Sequence, residues 1–121
     1  MVLGPALLAQ EKRERDKSPE PPEEDEAFRT KEYSFNPIQA SHELKVGNFY
    51  FKKGNYRAAA DRFQEATRWN PGYAEAYRRL GDALEKWKGP KAAREAYEKF
   101  VKLDPEAKAA GEIRRKLAGK P

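Results

Sequence analysis

Shifting the chain by 34 residues lays residues 40–73 over residues 74–107 without a gap. The overlay sets Gly47 on Gly81, Ala59 on Ala93 and Pro71 on Pro105, with Val46 against Leu80, Phe63 against Tyr97 and Asn70 against Asp104. A fixed period of this length constrains the fold more than any local propensity does. Each unit is too short to bury an apolar face alone and must bury it on its neighbour. The expected architecture is all-α, a short α-solenoid of two antiparallel helix-turn-helix units.

Punctuation along residues 36–121 predicts five helices. Asn36-Pro37 offers an N-cap followed by proline at the first helical position, where the missing N–H costs nothing. That helix runs to about Lys53 and stops at Gly54-Asn55; the second covers about Tyr56 to Trp69, before Asn70-Pro71-Gly72. A third spans roughly Tyr73 to Lys88, and a fourth opens at Pro90 and runs to about Leu103. Asp104-Pro105 repeats the cap-and-proline device, so a fifth, capping helix is expected over about residues 105–118. Turns this short make sequential helices antiparallel neighbours.

The apolar spacing predicts how the hairpins close. Val46 and Tyr50 lie one turn apart with Gly47 between them, on a side where a neighbouring backbone could approach; Ala59, Phe63 and Ala66 form the facing stripe. The second unit repeats this with Leu80, Gly81, Leu84, Ala93, Tyr97 and Phe100. Ala59 and Gly47 leave room for Phe63 and Tyr50. Glycine inside a helix costs about 1 kcal/mol against alanine, so two at one repeat position imply a packing role. Ala107, Ala110, Ile113 and Leu117 share one face of the fifth helix, as a cap over the last hairpin requires.

Charge divides the chain. Residues 1–35 hold six Lys/Arg against nine Asp/Glu, and residues 36–121 hold nineteen against eleven. The Pro-rich, acidic stretch at 18–26 and the charged run at 11–17 cannot bury enough apolar area to offset their entropy, so residues 1–35 read as a flexible linker. An acidic tail lying over a basic body and independent solvation of both charge sets remain open. The short apolar run at residues 2–9 reads as a signal-peptide remnant or as an apolar terminus without a role, since no basic residue precedes it. The first reading implies a periplasmic or secreted protein, the second leaves the compartment open. No segment reaches the roughly 20 apolar residues that span a bilayer.

Catalytic chemistry finds no foothold. The chain has no cysteine, and its one histidine, His42, stands on a charged helix start as an exposed or capping residue. The carboxylates at 23–26 lie in the proline-rich tail without fixed geometry, and neither a phosphate loop nor a metal-ligand spacing occurs. The expectation is a non-enzymatic protein with no cofactor and no metal.

Val46-Gly47 with Tyr50, then Ala59, Phe63, Ala66 and Pro71, and again Leu80-Gly81 with Ala93, Tyr97 and Pro105, resemble tetratricopeptide repeats. The linking phrase Gly54-Asn55-Tyr56-Arg57-Ala58-Ala59 is also typical of that family, and the resemblance covers about residues 38–118. Two departures stand out: Glu43 occupies a place usually held by a large apolar residue, as suits an end repeat, and Phe100 replaces a small residue. The resemblance implies a right-handed superhelical stack whose first helices line a groove for an extended peptide or partner helix. An adaptor or scaffold role would follow.

Helical spacing independently picks out the first-helix face away from the packing stripe. It carries Ser41, Leu44, Asn48, Phe51 and Lys52 in one repeat and Glu75, Arg78, Asp82, Glu85 and Lys86 in the next. Phe51 either anchors a partner side chain there or packs on the N-terminal segment. Some members of the family clamp a terminal carboxylate with basic and amide groups. Here Leu44, Asp82 and Glu112 fall where the clamp needs those groups, which argues against that ligand.

The sequence supports other readings as well. The basic body, with Arg114-Arg115-Lys116 near its end, could follow a nucleic-acid backbone, although acids interleave its bases. Asn36-Pro37 followed by residues 47–56 also resembles bacterial envelope lipoproteins of the outer-membrane-assembly type. An acylated cysteine is lacking, so an envelope role would be that of a soluble periplasmic component. At the N-terminal edge only Phe28, Tyr33, Phe35 and Ile38 are available to cover the first hairpin. Either residues 33–38 fold back over it or the edge mediates a homodimer.

Overall fold

A computed structural model of the chain describes residues 32–119. The apolar run at 2–9 and the acidic linker lie outside the described residues. Among those described, five helices follow one another: α1 (Pro37–Lys52), α2 (Tyr56–Trp69), α3 (Ala74–Lys88), α4 (Pro90–Leu103) and α5 (Lys108–Gly119). Each packs on the next, giving two helical hairpins and a final helix laid against the second hairpin.

Local chemistry sets the boundaries. The Asn36 side chain accepts the Gln39 N–H at 3.0 Å and Asn55 accepts that of Ala58 at 3.2 Å, so both stand as N-caps. Gly54 and Gly89, with φ of +83° and +107°, end α1 and α3 in a backbone conformation that a side chain would strain. Between the hairpins, Tyr73 N–H donates to the Asn70 carbonyl at 3.0 Å, and Ala107 N–H donates to the Asp104 carbonyl at 3.1 Å. Proline follows the first residue of each turn, a position that favours its fixed φ.

This corrects the predicted start of the last helix. Asp104-Pro105 does not cap α5; it makes the same turn as Asn70-Pro71, and α5 begins at Lys108. Both prolines are exposed, so Pro71 and Pro105 shape turns and take no part in the core. Pro37 and Pro90, by contrast, each stand at the first position of their helix, α1 and α4.

The core runs between the hairpins as a chain of small clusters. Ala59, Ala60 and Phe63 of α2 meet Leu80 and Ala83 of α3, with Tyr50 and Phe51 packed alongside. Ala93, Tyr97 and Phe100 of α4 meet Ala110 and Ile113 of α5, with Leu117 at the margin. A Cβ built on Gly47 would lie 2.5 Å from the Phe63 ring, and one on Gly81 would lie 2.5 Å from the Tyr97 ring. The glycines thus admit a ring from the partner helix, not the neighbouring backbone that the spacing suggested. Val46 and Tyr50 are half-buried, while Ala59, Phe63, Ala66 and Ala93 are fully enclosed.

At the N-terminal edge the fold-back falls to Tyr33. Its ring packs edge-on against Trp69 at 4.9 Å, its hydroxyl donates to Glu65 Oε2 at 2.7 Å, and Asn36 N–H donates to the Trp69 carbonyl at 2.9 Å. Phe35 and Ile38, expected to share this task, are 71% and 82% exposed. Glu43, expected on an open end, is buried instead and accepts from Arg62 Nη1 and Gln39 Nε2, each at 3.0 Å.

Candidate partner-binding face

Side chains that cross between α1, α3 and α5 show that these helices share one side of the stack. Arg79 of α3 donates from Nε to Asn48 of α1 at 3.0 Å, and Lys116 of α5 donates to Glu85 of α3 at 2.8 Å. The intervening helices α2 and α4 supply the layer behind them. Repeat spacing explains the reach: Asn48 and Asp82 occupy the same place in successive units, and Arg79, one turn before Asp82, can bond both.

A continuous polar network runs along this side. Arg79 Nη1 donates to Asp82 Oδ2 at 2.8 Å, and the Tyr97 hydroxyl donates to Asp82 Oδ1 at 2.7 Å and to Glu85 Oε1 at 3.1 Å. Arg78 makes two bonds to Glu75, at 2.7 and 3.2 Å, and stands 3.7 Å from Asp82. Five of the predicted groove residues, Asn48, Glu75, Arg78, Asp82 and Glu85, therefore belong to one connected system.

The other predicted groove positions divide. Phe51 is half-buried with its ring 5.1 Å from Tyr56 and the Arg79 guanidinium 4.4 Å over it. Leu44 is drawn into the packing between hairpins, touching two core clusters, because its place on α1 turns toward α2 and α3. Ser41 is half-buried, and Lys52 and Lys86 are exposed.

Electrostatics follow from the network. Burial pushes the Tyr97 hydroxyl far above the ordinary tyrosine range, and the Asp82 and Glu85 carboxylates add to the rise. Burial also pushes the Glu85 carboxyl up, but its bonds with Lys116 and Tyr97 outweigh that effect and hold it below the usual range. The Asp82–Tyr97–Glu85 group is thus a proton-donating hydroxyl fixed between two carboxylates. It braces α3 against α4 and α5.

Two of the clefts along the stack bear on partner binding. One, of about 670 Å³, lies between α3 and α5 and is walled by Glu75, Arg78, Glu112 and Arg115 over Phe100. The other, of about 520 Å³, opens between α2 and α4 with Tyr77, Leu80, Leu84 and Ala96 as its floor. Sequence spacing missed Arg79, Lys116 and the hydroxyl of Tyr97, since spacing within one helix says nothing of a long side chain's reach to another. A usable signal existed for Tyr97 alone: it replaces the phenylalanine of the first repeat, and the added hydroxyl in a core position needs a partner.

A family model described as TPR repeat matches residues 47–86, and one described as Tetratricopeptide repeat matches residues 74–106. The two matches overlap on α3 and follow the hairpins just described. This chain belongs to the tetratricopeptide repeat family. Comparison with curated proteins found no match. Tetratricopeptide repeats generally mediate protein–protein interaction and are typically not enzymes. Among the described residues, no group of His, Cys, Asp or Glu side chains is placed to hold a metal ion, and no helix is long and apolar enough to cross a membrane.

Proposed function

We propose that this tetratricopeptide repeat protein acts as an adaptor or scaffold, holding an extended peptide or a helix of a partner protein along the face formed by α1, α3 and α5. The supporting observation is the bonded chain Asn48–Arg79–Asp82–Tyr97–Glu85–Lys116. It fixes long side chains in advance, so a partner meets groups whose conformational entropy is already spent. Phe51, under the Arg79 guanidinium, supplies an aromatic surface beside the cleft walled by Glu75 and Arg78.

The face presents both signs of charge. Glu75, Asp82, Glu85 and Glu112 stand among Arg78, Arg79, Arg115 and Lys116, a pattern that favours a partner of mixed charge over a uniformly acidic or basic one. Binding of nucleic acid through residues 114–116 draws less support, since Arg114 donates to the Pro105 carbonyl and Lys116 is paired with Glu85. A role as a soluble periplasmic component and dimerisation through the N-terminal edge rest on the sequence alone.

Affinity capture from the native source, comparing the natural protein with a Phe51→Ala, Arg78→Ala variant of matched helicity, tests the reading. Loss of specific partners from the variant is expected. Equal recovery by both proteins would sink the assignment of this face.

A further inference from the structure

The turns joining α1 to α2 and α3 to α4 read Lys52-Lys53-Gly54-Asn55-Tyr56-Arg57 and Lys86-Trp87-Lys88-Gly89-Pro90-Lys91. They hold six cations and no acid. All six are exposed, and among the described residues none has a carboxylate within 4.0 Å. The ion pairs of the described residues lie elsewhere on the helices. The two turns form one edge, because the Arg57 guanidinium of the first lies 5.7 Å from the centre of the Trp87 ring of the second. Glu85 feels the charge of Lys86 but is bonded to Lys116 and Tyr97, and Asp61 and Glu95 stand a turn farther along α2 and α4.

We propose that this basic, tryptophan-bearing edge docks the protein on an anionic phospholipid surface. The cations sit beside the turns at the ends of the helices, and Lys91 also borders a cleft of about 300 Å³ with Glu85, Tyr97 and Lys116. Such an edge can bring its charges to a plane at once but cannot enclose a strand, whereas single-stranded nucleic acid is usually tracked by a charged groove. Trp87 is 40% exposed, between Lys86 and Lys88, with the Lys88 ammonium 4.7 Å from its ring centre. An amphipathic ring flanked by long cations suits the headgroup depth of a bilayer, where indole finds both apolar and polar contact while lysine stems lie along it. Juxtaposed Lys and Arg draw toward anionic headgroups over a Debye length, so the six would act together. The bonded chain from Asn48 to Lys116 lies along the sides of α1, α3 and α5, so docking through the turns would leave most of the partner-binding face open, with Lys52 and Lys86 where the two surfaces meet.

Sedimentation of the full chain with vesicles of phosphatidylcholine alone, or of phosphatidylcholine mixed with phosphatidylglycerol, decides the matter. Binding is expected to the mixed vesicles only and to vanish as salt rises from about 0.1 to about 1 M, where the Debye length falls to about 3 Å. The variant Lys86→Gln, Lys88→Gln, Lys91→Gln should bind about a hundredfold more weakly, roughly fivefold for each charge removed. Lys99→Gln with Lys102→Gln, at the other end of α4, should bind as the natural protein does. Equal binding to neutral vesicles, no binding to either kind, or triple-variant binding equal to that of the natural protein would overturn the proposal. So would a duplex oligonucleotide that strips the protein from the mixed vesicles at equal phosphate concentration.

Discussion

The Phe63 ring occupies the space that a Cβ on Gly47 would need, 2.5 Å from where that carbon would stand. The same relationship recurs one repeat later between Gly81 and Tyr97, also at 2.5 Å. Phe63 is fully buried and cannot swing aside. Gly47→Ala should therefore lose stability although alanine favours the helix by about 1 kcal/mol, because overpacking a closed core costs about 1–3 kcal/mol. Each kcal/mol lost lowers Tm by about 4–8 °C in a domain of this size. Gly47→Leu should fall further, and an unchanged or raised melting temperature for either variant would contradict the packing described.

Glu43 is 6% exposed, and its carboxylate is shared by Arg62 and Gln39. Removing Arg62 leaves that carboxylate with a single neutral donor in a dry setting. Arg62→Ala should cost about 1–2 kcal/mol, the modest figure reflecting a guanidinium that is 45% exposed and already screened. Glu43→Leu removes the charge and its desolvation together, so urea unfolding should show that variant to be as stable as the natural protein or more so.

Tyr33 closes the N-terminal edge through Trp69 and Glu65. Deleting residues 1–35 should lower stability by about 1–2 kcal/mol, the loss of one aromatic contact and its hydrogen bond. Light scattering of the shorter protein separates the two fates of the bared edge: a monomer means it is tolerated, and a dimer means it self-associates.

Tyr97 stays protonated in the folded state well beyond the pH at which an unfolded tyrosine ionises, near 10. A raised folded pKa means that the folded chain binds more protons above that point, so stability is full below about pH 10 and falls as pH rises past it. The slope from Tyr97 is about 1.4 kcal/mol per pH unit. Burial raises Tyr77 in the same direction, with a bond to Thr67 opposing it, and contributes a slope of its own. Tyr97→Phe keeps the ring but removes the ionising group, and its unfolding free energy should decline less steeply above pH 10 than that of the natural protein.

Much of this arrangement is legible in the chain. Asn36-Pro37, Gly54-Asn55 and Gly89-Pro90 mark helix ends through local chemistry alone, and the start and stop of α2 and α4 match the residues so marked. Asp104-Pro105 misleads because Asp followed by Pro suits both an N-cap and a turn; what decides is the need to link α4 to α5, a tertiary matter. At the face formed by α1, α3 and α5, helical spacing finds Asn48, Asp82 and Glu85 but not Arg79 or Lys116. Those two act by reaching across to another helix, and a period within one helix does not report such reach. Leu44 shows the converse, a residue at the right spacing whose apolar stem is taken by the core.

The central claim is that a partner lies along α1, α3 and α5. Once a partner is in hand, hydrogen exchange of the backbone amides with and without it tests that claim most directly. Added protection is expected in residues 41–52 and 75–86, with little change in α2 and α4. Protection confined to α2 and α4, around the cleft floored by Tyr77, Leu80 and Leu84, would contradict it.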